Sequence, residues 1–566
     1  MIEILATNIT SPLGRTTEEN YLAVKAGSSA LKRYEGWRGV PEVFTASMFS
    51  DEQMTEISIA GYSRFESLAI RSVEECLAHC DIDVKSARTV LILSTTKANV
   101  DGLDIDGSGE YLAPGATAKK IAAYFAMQSD PVVVCNACIS GVTAQTLADR
   151  LLSSGKYDNA IVCGADVLSP FVLAGFLSFK SLSPEECRPF DIERLGLNLG
   201  EAAATIIFTR PQRNGEVNEA RWQLLKSRLN NDAYHVSAPS PIGEGSAEAI
   251  TRVLEGVNID DIGVVCVHGT ATMFNDQMES KAVEHAGLSD IPLSALKGYY
   301  GHTLGAAGVL ETILTARALD DGIILPVRGF SEIGVGGKVN ISNEEQRCDK
   351  EHFLKIISGF GGCNGALLYG KGYNEAGEQG AVEFTEKHCV KITSDSVEVD
   401  GSRVATETSG GALLKELYKG YIGDYAKFYK MDTMSRLALV ATELLVRGET
   451  AEERAAEHDV VFFNRSSSIV ADINHLATIR DRASFYPSPS VFLYTLPNIA
   501  MGEVAIRYQY RGETSLYILE QRDVRRMEEI IASTIKSSYA PTLISGWLDC
   551  RSEDDFEAEI KILTKK

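Results

Sequence analysis

The sequence is short of positive charge, thin in cysteine and without any long apolar run, and each shortage removes a class of function. Lysine and arginine total 55 against 77 aspartates and glutamates, a formal charge of −22 that repels polyanions and argues against nucleic acid as a partner. Eleven cysteines in 566 residues are too dilute for a disulfide scaffold. Most, such as Cys76, Cys163 and Cys266, lie inside apolar strand or helix patterns, so reduced thiols are expected. Cys135 and Cys138 form a Cys-x-x-Cys pair, but no second pair follows at metal-ligand spacing, and no metal is expected. No run reaches the length of a membrane span, and Met1 to Asn8 carries no basic leader, which reads as a cytoplasmic protein without a membrane span.

What is present is the composition of soluble globules: 45% apolar and 23% charged residues. The length exceeds what one hydrophobic core usually serves, so two or more domains are expected. Up to about Gly370, short apolar strand candidates alternate with amphipathic helix candidates, the pattern of an α/β fold around a buried sheet. Val132 to Val134 reads as a strand, Ala144, Leu147, Ala148 and Leu151 recur at helical spacing, and Ala160 to Val162 reads as the next strand. Residues 371–380 are rich in glycine and charge and lack periodicity, the mark of a linker between a domain at 1–370 and one at 381–566.

The second domain opens on an expected hairpin, Val390 and Ile392 before Ser394-Asp395-Ser396, then Val397 and Val399. It echoes the first domain in three segments, taken in the same order. The helix at Tyr62 matches Tyr429 onward, the strand at Val90 matches Val460 onward, and Pro131-Val-Val-Val-Cys-Asn matches Pro489-Ser-Val-Phe-Leu-Tyr. The echo then fades, so the second domain copies the front half of the first.

The chemistry-bearing segments sit at strand ends. Cys135-Asn-Ala-Cys138-Ile-Ser-Gly141 lies between a strand and a helix start, where backbone N–H groups stabilise a thiolate and cradle a developing oxyanion. Alone, an apolar-flanked cysteine is more often an inert core thiol, and a lone histidine more often a satisfied core residue. Three further segments reverse those odds: His268-Gly-Thr-Ala-Thr-Met, Lys297-Gly-Tyr-Tyr-Gly-His302-Thr-Leu-Gly-Ala-Ala-Gly308 leading to Glu311, and Gly359-Phe360-Gly361-Gly-Cys-Asn364.

In that order and spacing the four motifs resemble the β-ketoacyl synthase family, condensing enzymes of the thiolase superfamily, and the resemblance covers essentially all of residues 1–370. It implies a thiolase-like, duplicated αβαβα five-layer fold, followed by a smaller α/β domain resembling the N-terminal half of the same fold. It implies that Cys138 accepts an acyl group from the 4′-phosphopantetheine of an acyl carrier protein, with no cofactor bound to the synthase itself. His268 and His302 then stabilise the enolate formed as a malonyl-carrier loses carbon dioxide, Lys297 and Glu311 form a charged pair behind them on what should be one helix, and the N–H groups of Cys138 and Phe360 hold the oxyanion of condensation. Thr270 and Thr272 are expected on the pantetheine arm, Ile139, Ser140, Gly361 and Asn364 around the substrate, and Phe360 as a gate.

Departures qualify the resemblance. Ala271-Thr272-Met273 replaces a common Gly-Thr-Pro, and Ile139 replaces a commonly small neighbour of the nucleophile, a change expected to reshape the acyl tunnel. The segment matched to the nucleophile turn, Tyr494 to Gly502, has neither cysteine nor serine at the turn, so the second domain is read as a truncated, inactive synthase-like domain. Such domains accompany ketosynthases in aryl polyene and flexirubin-type pathways, in a role likened to chain-length or initiation factors. Two alternatives stand beside condensation: a thiolase, with Cys363 as its second cysteine, and a non-catalytic partner of an active synthase. Family members pair through a sheet edge near the nucleophile, so a homodimer or a heteromer with a related subunit is expected. An acidic carrier would need a local basic landing patch on so acidic a protein.

Overall fold

Strand β1 (Ile2–Thr10) begins a sheet whose centre is built from runs of Val, Ile and Leu: β2 (Thr89–Ser94), β3 (Val132–Val134) and β4 (Asn159–Asp166). These runs show no polar alternation and are buried on both faces, as parallel strands require. Strand β5 (Ala202–Thr209) pairs antiparallel with both β4 and β1, giving the order β3-β2-β4-β5-β1. The computed structural model describes residues 1–103, 112–210, 220–372, 383–481 and 485–566; the expected linker lies outside the described residues apart from Lys371 and Gly372.

A second sheet repeats this pattern. Strands β6 (Gln223–Asn231), β7 (Ile262–Cys266), β8 (Pro292–Ser294), β9 (His352–Gly359) and β10 (Cys363–Gly370) run in the order β6-β10-β9-β7-β8, and β6 meets β1. Helices α1 (Arg64–Leu77), α2 (Pro114–Tyr124), α3 (Ser140–Ser153) and α4 (Pro170–Ser178) belong to the first half. Helices α5 (Glu244–Leu254), α6 (Met273–His285), α7 (Lys297–Tyr300) and α8 (Ala307–Asp320) belong to the second. Helices α3 and α8 are buried almost all round and cross where Gly141 meets Gly308. A Cβ on Gly308 would lie 2.8 Å from the Val142 nitrogen, so the two backbones approach as only glycine permits. This is the duplicated, layered arrangement the motifs implied.

The rest of the chain forms one more sheet of the same kind. Strand β11 (Phe384–Thr393) folds back onto β12 (Ser396–Val399) as the expected hairpin, with Thr393 opposite Ser396. After it come α9 (Thr433–Val446), β13 (His458–Asn464), α10 (Ile469–Ile479), α11 (Pro489–Leu493), α12 (Ile499–Tyr508), β14 (Thr514–Ile518), α13 (Val524–Ser537), β15 (Thr542–Cys550) and β16 (Phe556–Lys565). The order β14-β13-β15-β16-β11 reproduces β3-β2-β4-β5-β1 strand for strand and sense for sense. The first two echoes therefore hold. Helices α1 and α9 correspond, each opened by a side-chain cap, Ser63 and Asp432, and β2 corresponds to β13.

The third echo does not hold. Pro489 to Leu493 is helix α11, opened by proline at its first position, and the strand beside β13 that corresponds to β3 is β14. The segment matched to the nucleophile turn is thus no counterpart of it. The residues following β14 are Leu519-Glu520-Gln521-Arg522, again without cysteine or serine.

Strand β14 also reaches across the molecule. It pairs antiparallel with β3, Tyr517 opposite Val134 and Ile518 opposite Val133, and the Cys135 N–H donates to the Leu516 carbonyl. The sheet edge next to the nucleophile, where a second chain was expected, is taken by this chain's own strand. Beside it the guanidinium of Arg150 on α3 grips the Glu513 carboxylate through both oxygens, at 2.9 and 2.5 Å, with both side chains buried.

Candidate active site

Three bends bring the predicted residues together, and each contains a non-glycine residue in the left-handed region: Ala137 (φ +48°), Ala271 (φ +62°) and Leu304 (φ +53°). Such conformations cost free energy and persist where the surroundings over-determine them. At the first bend the chain leaves β3, turns through Ala137 and enters α3 at Ser140, which lifts Cys138 to the helix start. The Ser140 hydroxyl accepts from the Asn136 N–H at 2.8 Å and donates to the Ala137 carbonyl at 2.6 Å. It braces the turn, which corrects its expected place on the substrate. Cys135 points away and donates to the Thr96 carbonyl at 3.2 Å.

His268 follows β7 and His302 follows α7. The Cys138 sulfur and a ring nitrogen from each histidine lie within 4.8 Å of one another. The same donor set could hold a metal ion. The imidazoles meet edge to face, centroids 4.9 Å apart. The Leu304 N–H donates to Nδ1 of His302, which places the ring proton on Nε2, and that buried Nε2 has no partner among the described residues; nor has Nδ1 of His268. Burial, then the positive charges of Lys297 and Lys355, hold both histidines well below the usual range, so both are uncharged at neutral pH. Burial likewise pushes the Cys138 thiol up to about 11, although Lys297 and the N–H groups of Phe360 and of Cys138 itself pull it back.

Lys297 and Glu311 do form a buried pair, 2.6 Å apart, but on different helices, α7 and α8, because His302 sits in a bend between them. Sequence reading missed the third member. Lys355 on β9 reaches the other Glu311 oxygen at 2.5 Å, and Lys297 also donates to the His268 carbonyl at 2.6 Å. Burial would raise the Glu311 carboxyl; the two ammonium groups outweigh it and hold it below its ordinary value. Glu279 on α6, also missed, accepts from the backbone N–H groups of His268 and Gly269 at 2.5 and 2.8 Å. Strand β9 is buried on both faces, which hides the lysine, since a polar residue in a strand is ordinarily read as solvent-facing.

The three reactive side chains line a cavity of about 330 Å³ that opens past Thr270 and Thr272, whose hydroxyls are 2.9 Å apart, and past Phe274, which is 78% exposed. Asn364 lines it too, held between the Ser358 hydroxyl and Asp232 at 2.7 Å each. Phe360 separates this cavity from a second of about 10 Å³ behind the nucleophile, closed by Lys97, Val172 and, from the C-terminal lobe, Phe492 and Leu496. Phe360 lies beside Phe176 and Phe179, ring centroids 6.3 and 5.3 Å away. Ile139 lines neither cavity, since α3 turns it into the core with Val142 and Leu229. Gly361 also lies outside both; its N–H and carbonyl bond Val236 and Asn231. Cys363, the candidate second cysteine of a thiolase, is buried and donates to the Phe360 carbonyl at 3.2 Å, outside both cavities.

Residues 1–214 match the family model of the β-ketoacyl synthase N-terminal domain and residues 223–331 that of its C-terminal domain, together more than half of the chain. The chain is 25% identical over 408 residues to 3-oxoacyl-[acyl-carrier-protein] synthase 2 of Vibrio harveyi, a match covering 65% of this chain and 98% of that protein. It is 28% identical over 350 residues to the tetracenomycin polyketide synthase ketoacyl synthase alpha subunit of Streptomyces glaucescens, 54% of this chain and 81% of that one. The solved PfaC keto synthase–chain length factor superposes on 100% of this chain and 78% of its own length, with a TM-score of 0.76 and 14% identity, a likeness of fold that includes the C-terminal lobe.

Proposed function

This chain belongs to the β-ketoacyl synthase family of condensing enzymes, and from that premise we propose that it joins malonyl-carrier to an acyl group held on Cys138, with loss of carbon dioxide, elongating a fatty acyl or polyene chain. The observation that carries the reading is the meeting of Cys138, His268 and His302 around one cavity from three distant bends. In the first half-reaction the Cys138 sulfur attacks the acyl thioester of a carrier pantetheine. Its proton ends on the departing pantetheine sulfur, and the N–H groups of Phe360 and Cys138 hold the oxyanion of the exchange, so the site ends as it began, with one thioester exchanged for another.

In the second half-reaction the malonyl thioester oxygen lies against the histidines. The carbon–carboxylate bond breaks, its electron pair forms the enolate, and Nε2–H of His302 donates to the growing negative charge with His268 beside it. An uncharged imidazole suits this task, because it donates a hydrogen bond without an ionised proton to lose. The enolate carbon then attacks the acyl carbonyl on Cys138. The oxyanion is held by the N–H groups of Phe360 and Cys138, and its collapse returns the Cys138 thiolate. Lys297 and Lys355, paired through Glu311, bias both histidines toward neutrality and bond the carbonyls of Cys266, Val267 and His268 where β7 ends.

We assign the acyl donor to an acyl carrier protein, its pantetheine passing Thr270 and Thr272, and the reaction to the cytoplasm. Residues 1–370 form the synthase, and the C-terminal lobe acts as a built-in, inactive partner that shapes the acyl pocket through Phe492 and Leu496. The test is intact mass after incubation with acyl-carriers of graded length. One acyl mass per chain, absent in Cys138→Ala, is expected, with carbon dioxide released on adding malonyl-carrier. Acylation that survives Cys138→Ala would overturn the reading.

A further inference from the structure

Chemistry at Cys138 depends on where the Phe360 N–H points, and the loop that carries it has little shape of its own. Ser358 to Cys363 joins β9 to β10 through two left-handed glycines, Gly361 (φ +95°) and Gly362 (φ +76°), whose peptides turn at small cost. The main domain holds its glycines, through Val236 on the Gly361 N–H and the Asp232 N–H on the Gly362 carbonyl, but the Phe360 carbonyl is held from the C-terminal lobe. Asn498, buried at the start of α12, donates from Nδ2 to the Phe360 carbonyl at 2.8 Å and lies 3.7 Å from the Cys363 sulfur. The next carbonyl, of Gly361, accepts from Asn231 Nδ2 at 2.8 Å. That amide also donates to the Thr514 hydroxyl at 2.9 Å, and the Thr514 carbonyl accepts from Asn136 at 2.9 Å, two residues before the nucleophile. Thr514 opens β14, the strand paired with β3.

We propose that Asn498 is a positioning residue for condensation: through its hydrogen bond to the Phe360 carbonyl, the C-terminal lobe sets the oxyanion-donor loop against Cys138, and Thr514 ties the same loop to the nucleophile turn. The main domain's site is complete only with the second lobe in place. Without the Asn498 amide, the Phe360 carbonyl keeps, among the described residues, only the Cys363 thiol, a weak donor, and the firm anchor left to the Phe360–Gly361 peptide is the Gly361 N–H on the Val236 carbonyl. The inference rests on the roles assigned above to Cys138 and Phe360.

Those roles divide the two half-reactions. Acylation uses the Phe360 N–H, whereas malonyl decarboxylation uses the histidine pair. The experiment measures both in the full-length chain carrying Asn498→Leu, which keeps volume and removes the donor, and in Thr514→Val, which removes the hydroxyl that anchors Asn231. Single-turnover acylation of Cys138 by an acyl-carrier should slow by about 10- to 100-fold, less than the loss of a whole oxyanion donor. Carbon dioxide release from malonyl-carrier should change less than about two-fold, which a general loss of structure would not allow. Asn498→Ser, which restores a donor, should recover part of the acylation rate. Unchanged acylation in Asn498→Leu and Thr514→Val, or an equal fall in both half-reactions, overturns the inference while leaving the proposed reaction standing. Acylation that persists in Cys138→Ala overturns the proposed reaction instead.

Discussion

At the scale of single residues the site combines a protonated thiol with two neutral imidazoles. Because burial raises Cys138 to about 11, the thiolate is a minor species at neutral pH and its fraction grows as the pH rises toward that value. Alkylation of the free enzyme by iodoacetamide, followed as mass gain at Cys138, should therefore rise by about tenfold per pH unit from pH 7 to pH 9; a plateau below pH 8 would mean that Lys297 and the two N–H groups win over burial. In the proposed reaction, His302→Ala removes a donor that acts only on the enolate. Carbon dioxide release should fall by about 100- to 1,000-fold while Cys138 acylation stays within a few-fold, and an equal loss of both would place His302 in the first half-reaction as well. The identities of Cys138, His268 and His302 were legible in sequence because glycine-rich bends at the ends of strands and helices are local signals. The orientations of Ile139, Ser140 and Gly361 were not, since each is decided by which surface the neighbouring helix or hairpin turns inward.

Elements extend the same distinction. Lys297, on the short helix α7, and Glu311, on α8, were readable as a pair, yet Lys355 on β9 completes it from 44 residues further along the chain. Replacing Glu311 with alanine leaves two buried ammonium groups without a counter-charge, and unfolding by denaturant should show a loss of about 3–5 kcal/mol; a loss below about 1 kcal/mol would show that the triad is already hydrated. The misplaced third echo has an equally local cause. A run as short as Val491 to Tyr494 is compatible with either a strand or a short helix, and the periodicity cannot arbitrate. Helix α11 carries Phe492 into a nest of Phe171, Phe176 and Phe179, where Gly175 leaves room for its ring, and it closes the small chamber behind Cys138. Phe492→Ala should thus lengthen the longest acyl chain that the enzyme loads, read by intact mass against carriers of graded length, at a cost of about 3–5 kcal/mol of stability. An unchanged length profile would place the limit on Phe176 or Phe360 instead.

For the whole molecule, the decisive feature is that one chain supplies both sides of an interface built on β3. The likeness of the C-terminal sheet to the first was foreshadowed by the sequence echo and the second sheet by the family resemblance, but the pairing of β14 with β3 has no sequence signature. It joins residues more than 380 positions apart, and either edge strand alone would read as free. Once formed, the junction buries the Arg150–Glu513 pair, the β3–β14 ladder and the packing of α13 on α3, none of which passes through residues 373–382. The covalent link should then be dispensable for assembly. A chain with a specific protease site introduced between Gly372 and Glu383, cut after folding, should elute as one particle containing both fragments and keep its condensing rate. Separation of the fragments at low salt, or loss of acylation on cutting, would show instead that the connection itself holds the lobes in register. The same cut chain carrying Arg150→Ala should come apart, because the unpaired Glu513 carboxylate regains water only by leaving the junction.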